Sequence, residues 1–195
     1  MNKIITVDCD WAINEEKIIG LISLCTKLFY QKVPTYFIRQ HHSAFPLVEE
    51  NSFLYNVDHH HDLFYNKDMV KNAEKGILTE ATWVLGLILH KKLNGYVWVK
   101  NFTSNADDKL IEYYLRKIKY FKTTNTIKDI EDEIFNKLII CESAFYHPSS
   151  SFVFEILKKI CENINPEYVD VKKDNELGHI FLPKPLHRVQ TKFQD

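Results

Sequence analysis

What most constrains this chain is a set of short apolar runs that do not alternate. Ile4-Ile5-Thr6-Val7, Tyr36-Phe37-Ile38, Phe53-Leu54-Tyr55-Asn56-Val57, Tyr96-Val97-Trp98-Val99 and Leu138-Ile139-Ile140-Cys141 are apolar at successive positions. A strand with one face in water alternates apolar and polar residues; a strand apolar on both sides needs both faces covered. Helical periodicity fills the intervals. Asn14 caps a pattern through Ile18, Ile22, Cys25 and Phe29 that Pro34 ends. Thr79 opens another through Trp83, Leu87 and His90, helical patterns return at 107–119 and 127–135, and Ser149 to Ser151 cap one through Phe154, Leu157 and Ile160. Strands alternating with helices predict an α/β fold, a three-layer αβα sandwich with a mainly parallel central sheet. Residues 1–195 read as a single domain, with 166–195 as a tail packed on its surface and one short strand near Ile180-Phe181-Leu182.

In a parallel sheet every strand delivers its C-terminus to one edge, and the active site lies outside that edge. Three of the expected strands end in metal-ligating residue types: Asp8 and Asp10, His41 and His42, and the run Asp58-His59-His60-His61-Asp62. Five ionisable residues directly after an apolar strand fit poorly with a structural role, because burying them without partners is costly. If the backbone stays extended there, Asp58, His60 and Asp62 point to one side, as do Asp8 and Asp10. The donor set is then four carboxylates with one or two imidazoles and no thiolate, Cys9 pointing the other way. Such a set suits Mn²⁺, with Fe²⁺, Zn²⁺ or Mg²⁺ as alternatives. Two close cations would lower the pKa of a shared water and aim it at an electrophilic carbon or phosphorus. His59 and His61 are then outer groups or face substrate. His147, after the fifth strand, is a candidate proton shuttle, with Glu142 and Ser143 beside it. Arg39 and Lys100, at strand ends, could bind an anionic part of a substrate.

Composition removes several function classes. Lys and Arg number 25 against 26 Asp and Glu, a net charge of -1. That balance gives no electrostatic footprint for duplex nucleic acid or an anionic membrane. Cys9, Cys25, Cys141 and Cys161 form no CxxC pair, so a zinc ribbon, a redox motif and a disulfide framework are not expected. A carboxylate at Asp8 leaves no room for a signal-peptide core, and the longest apolar stretch, 83–89, is far short of a membrane span. The expectation is a cytoplasmic protein acting on a small molecule or a peptide side chain.

The same residues carry a resemblance. Asp58-His59-His60-His61-Asp62 resembles the DxHxD motif of the arginase/deacetylase (ureohydrolase-like) superfamily; His42-Ser43 resembles its upstream His-Ser, and Thr6-Val7-Asp8-Cys9-Asp10 its S-x-D-x-D strand end with Thr for Ser. Glu80-Ala81-Thr82-Trp83-Val84 and Tyr96-Val97-Trp98-Val99 are similar to segments of small arginase-like proteins of the UPF0489 type. The resemblance covers about residues 4 to 105, with a weaker echo at 143–148. It implies an arginase-like fold and a binuclear Mn²⁺ hydrolase attacking a C–N bond of a guanidino or amide group. One metal would use His42, Asp58, Asp62 and Asp8; the other His60, Asp58, Asp8 and Asp10, with Asp58 and Asp8 bridging. His61 and His147 are the candidate catalytic side chains. Two features depart from the family. The DxD strand here precedes DxHxD, which requires a permuted topology, and the chain is much shorter than an arginase, with no match for its downstream His and Glu.

Asp8-Cys9-Asp10 and Val57-Asp58-His59-His60 also resemble motifs of the DHH phosphoesterases, which use two Mn²⁺ ions on phosphodiesters. Trp11 stands where a small residue begins that family's helix, and its intermediate aspartate motif is missing. The two resemblances divide on one point: the first makes His60 a ligand and needs Asp62, whereas the second leans on His59. A third alternative is a non-catalytic metal-binding or interaction domain, with Tyr113-Tyr114, Tyr120-Phe121 and Phe145-Tyr146 as its surface; paired aromatics of this kind are expected to pack inward instead.

Overall fold

The computed structural model describes residues 1–104, 108–171 and 180–181. Seven strands form one sheet: β1 (Lys3–Asp8), β2 (Thr35–Ile38), β3 (Ser52–Val57), β5 (Leu93–Val99), β6 (Tyr120–Thr124), β7 (Lys137–Cys141) and β8 (Val169–Asp170). Their order is β6-β5-β3-β1-β7-β2-β8, and every pairing is parallel. The chain leaves β1 outward on one side to β2, crosses back to β3, and then runs outward on the other side through β5 and β6. β7 returns to insert between β1 and β2. Beside β1 the direction of winding reverses, which opens a crevice at the carboxyl edge between β1 and β3.

Helices cover both faces, so the layers are those expected. On one face lie α1 (Glu15–Tyr30) and α5 (Ser150–Ile164); on the other lie α2 (Lys67–Glu74), α3 (Trp83–Leu89) and α4 (Asp108–Leu115). The strands split their apolar residues between the two. Ile5, Val7, Val97, Val99, Leu138 and Ile140 pack toward α1 and α5, whereas Ile4, Leu54, Tyr96, Trp98, Ile139 and Cys141 pack toward α2 and α3. This division is the physical reason the runs are continuous. The Asn14 carboxamide accepts from the Lys17 amide at 2.9 Å and caps α1 as expected.

Several local expectations change. The 127–135 pattern yields only the single turn Ile127–Asp129. Helix α4 ends at Leu115, and Tyr120-Phe121 begins the edge strand β6 with exposed side chains. Of the three aromatic pairs expected to pack inward, Tyr114 alone is buried; Phe145 is 88% exposed. Helix α3 starts at Trp83, with Thr79 in the preceding turn. Within the expected tail, Val169–Asp170 extends the sheet beside β2, and Ile180–Phe181 pairs antiparallel with β4 (Ile77–Leu78) to form a two-stranded ribbon with this last strand, β9. His179 and His187 lie outside the described residues. Among the described residues no helix is long and apolar enough to cross a membrane.

Candidate metal centre

Beneath the β1/β3 crevice, polar side chains occupy positions that would otherwise be apolar. Thr6 stands beside Asn56 in the parallel register, and its hydroxyl donates to Asn56 Oδ1 at 2.5 Å. The Asn56 amide therefore turns its N–H groups toward Asp58 Oδ2 (3.2 Å) and the Tyr96 hydroxyl (3.4 Å). Trp98 Nε1 donates to the Asp58 carbonyl at 3.0 Å, and the Tyr96 hydroxyl donates to the His61 carbonyl at 3.0 Å. Buried polar groups need such partners. Their effect here is to fix the exit of β3 from below.

The two acidic segments converge by tight turns, not by staying extended. After β1 the chain enters a 3₁₀ turn, Cys9–Trp11, in which the Asp10 amide donates to Asp8 Oδ1 at 3.1 Å. After β3 the His60 amide donates to Asp58 Oδ1 at 2.8 Å. A short carboxylate that accepts from the amide two residues on is a turn former. Here the same aspartates that form the turns are the candidate ligands. Cys9 is buried in the α1/α5 core, away from the cluster as expected.

His41 opens a second 3₁₀ segment, His41–Leu47, after β2. Its Nδ1 lies 3.1 Å from Asp8 Oδ2, 3.0 Å from Asp58 Oδ2 and 3.0 Å from Asp62 Oδ2. No oxygen of the three meets it in good hydrogen-bonding geometry. Side-chain groups brace this half from behind. Ser143 donates to Asp8 Oδ2 at 2.6 Å, and Trp83 Nε1 donates to Asp62 Oδ2 at 2.6 Å while its ring packs on His41 at 4.7 Å. Asp62 and Ser143 both hold left-handed backbones, φ 53° and 46°. Such conformations cost non-glycine residues about 1 kcal/mol or more and persist where the surroundings impose them. The Asp62 carbonyl is pinned by the Val84 amide at 3.1 Å.

The second half holds Asp10 and His60. His60 Nδ1 is 3.1 Å from Asp10 Oδ2 and 3.8 Å from Asp58 Oδ1. Asp10 is 2% exposed, yet neither of its oxygens accepts a well-formed hydrogen bond. Ligand atoms thus gather in two groups, Asp8–His41–Asp58 and Asp10–Asp58–His60, each within 4.8 Å. Asp58 belongs to both and turns opposite oxygens toward the two imidazoles.

The electrostatics are those of crowded carboxylates. Burial first, then Asp8, pushes the Asp10 carboxyl up to about 8; burial, then Asp62 and Asp8, pushes Asp58 up to about 8. Burial pulls the His41 imidazole down, but the three surrounding carboxylates outweigh it and leave its pKa well above the usual histidine range. The same contest leaves His60 at about 9, with Asp10 the main raising neighbour. Crowded carboxyl groups that hold protons among themselves and their imidazoles, with no lysine or arginine in ion-pair contact among the described residues, are groups whose protons a divalent cation would replace. The donor set fits one.

The remaining expected residues fall elsewhere. His42 is buried but gives no atom to either group; the 3₁₀ turn presents His41 instead. His61 accepts from the Leu63 amide at Nδ1 (3.1 Å), its ring lies tilted against Tyr65 at 4.8 Å, and burial pushes its pKa down to about 4. His59 Nδ1 lies 3.0 Å from Asn101 Oδ1 and its ring packs edge-on against His60. His147 Nδ1 pairs with Ser149 Oγ at 2.6 Å and lies outside the cavity wall. Arg39 is engaged by Glu142 at 2.7 Å, and Lys100 packs over Trp98. A cavity of about 320 Å³ opens onto the cluster, lined by Asp8, His41, His60, Asp62, Ser143 and the side chains of Tyr65, Glu80 and Tyr146. Asn56, Tyr65 and the indole of Trp83 carry no sequence signal of a site role, because their part depends on contacts across strands. No protein-family profile, curated protein or solved structure matches the chain.

Proposed function

We propose that the chain is a metal-dependent hydrolase of the arginase-like type, holding two adjacent divalent cations, Mn²⁺ by the character of its donors, and cleaving a C–N bond of a guanidino or amide group. The observation that carries this is the Asp58 carboxylate, whose Oδ2 faces His41 at 3.0 Å and whose Oδ1 faces His60 at 3.8 Å. One carboxylate between two ligand groups is the arrangement of a bridging ligand. Asp8, His41 and Asp62 would hold one ion with Asp58, and Asp10 and His60 the other. Paired ions of this kind supply a water ionised near neutral pH and polarise the group it attacks.

The chain's own residues supply order and dryness. Trp83 and Ser143 fix Asp62 and Asp8 by hydrogen bonds of 2.6 Å, so these carboxylates need no reorientation when substrate enters. Trp83 and Tyr96, both buried, close the floor of the site against bulk water. The role of His60 beside Asp10, with His59 tied to Asn101, supports the C–N reading over the phosphodiester alternative, which leans on His59.

Chelator-stripped full-length protein titrated with Mn²⁺ tests the proposal. Two equivalents per chain are expected, with a rise in melting temperature and release of urea, ammonia or amine from a panel of guanidino and amide compounds. No stoichiometric divalent metal and no thermal shift would overturn it.

A further inference from the structure

The cavity wall facing the candidate metal centre has a charge of its own. Glu80, in the turn between β4 and α3, lines the cavity and accepts from the Tyr146 hydroxyl at 3.1 Å. Tyr65 and Tyr146 are each half exposed and flank the opening, both packed near His60 at 6.3 and 5.1 Å. No lysine or arginine lines the cavity among the described residues. His41, 2% exposed and also in the wall, has an Nε2 without a hydrogen-bond partner.

Two divalent cations would balance Asp8, Asp10, Asp58 and Asp62. Glu80 is a fifth carboxylate; the His41 backbone and imidazole lie beside it, and among the described residues no lysine or arginine lines its cavity. We infer that Glu80, with the Tyr146 hydroxyl and the faces of Tyr65 and Tyr146, forms a subsite for a cationic group of the substrate, an ammonium or guanidinium held at the cavity mouth. A carboxylate gives such a group a charge-assisted hydrogen bond, and a tyrosine face attracts it through the ring quadrupole. An anionic group at the position of the Glu80 carboxylate gains no such bond and meets like charge. The volume of about 320 Å³ admits a small molecule or one long side chain. The charge balance rests on the two-cation reading proposed above; the subsite itself stands on Glu80 and the tyrosines, none of which is a candidate ligand.

The test compares n-butylguanidinium, n-butylammonium and n-butyl phosphate by calorimetry on Mn²⁺-loaded full-length protein, with metal content measured on each sample. The cationic probes should bind through Glu80, and butyl phosphate independently of it. Glu80→Gln should weaken the cations about tenfold or more while leaving butyl phosphate unchanged or improved. Tyr146→Phe should weaken the cations by a smaller factor, and it carries the test if Glu80→Gln fails to fold. Cation affinity indifferent to both variants overturns the inference. Protein that takes up no Mn²⁺ but still binds the cations through Glu80 defeats the metal proposal and leaves this one standing; normal Mn²⁺ uptake with no such binding does the reverse.

Discussion

The two edges of the central sheet handle charge in opposite ways. At the amino edge, carboxylates and carbonyls meet lysines. Lys3 pairs with Glu133, Lys137 pairs with Glu49 and donates to the Leu47 carbonyl at 2.6 Å, and Lys92 donates to the Phe45 and Val48 carbonyls at 3.2 and 2.6 Å. At the carboxyl edge Arg39 pairs with Glu142, but Asp8, Asp10, Asp58 and Asp62 gather around two imidazoles, with no ion pair to a lysine or arginine among the described residues. A near-neutral chain has paired its charges at one edge, while at the other one group of carboxylates has only imidazoles as partners among the described residues. That difference motivates the proposed metal site more than any single residue does.

The largest expected effect belongs to Asp58, which both ligand groups share. Asp58→Asn should lower Mn²⁺ affinity about 100-fold or more at both positions, and above about pH 8, where the Asp58 carboxyl ionises, it should also stabilise the metal-free protein by about 1 kcal/mol or more, because it removes a buried like charge. Calorimetry and thermal denaturation without metal read the two effects. Full Mn²⁺ uptake by this variant would dissolve the contrast between the edges. His60→Ala should lose one of the two equivalents and keep the other, since His41 and its carboxylates stay intact; mass spectrometry of the native protein counts the ions.

A smaller effect follows from pH. Asp10 and Asp58 have folded pKa values raised to about 8 and His60 to about 9. Groups whose folded pKa lies above the unfolded value contribute stability below the unfolded pKa and lose it as pH rises through the folded one. The metal-free protein should therefore lose stability between about pH 4 and 9, the carboxyl groups first. A divalent cation replaces those protons, so the melting-temperature gain from Mn²⁺ should grow from pH 6 to 9; a gain that shrinks over that range counts against the assignment. The smallest effect belongs to the amino edge. Lys137→Met should cost about 1 kcal/mol or less with Mn²⁺ binding unchanged, measured by the same two methods.

What was legible in the sequence follows from burial. Ile4-Ile5-Thr6-Val7 and Leu138-Ile139-Ile140-Cys141 announce central strands because both of their faces are covered. Tyr120–Thr124 does not, since most of this edge strand faces outward, and α2 (Lys67–Glu74) buries only Val70 and Ala73 on one face of a short polar helix, too few to stand out. The convergence of Asp8, Asp10, Asp58, His60 and Asp62 was legible from where parallel strands end. Its mechanism was not: alternation assumes an extended backbone, whereas Asp8 and Asp58 fold their own segments into turns. The choice of His41 over His42 depends on a 3₁₀ turn whose phase no spacing rule fixes. Trp83 and Ser143 reach the aspartates from elements far away in sequence, and only the packed fold brings them there.

The place of β7 bears on how the chain acquires its shape. β1 and β2 lie a strand apart until residues 137–141 arrive between them, so the chain as far as β7 must leave the ribosome before the sheet can close. The Ser143 hydroxyl that steadies Asp8 arrives with that same segment. Pairing over such separations is slow, and during the wait the facing edges of β1 and β2 stand open to a wrong partner. Productive folding of this molecule should therefore be most sensitive to chaperones and temperature in the interval before β7 docks.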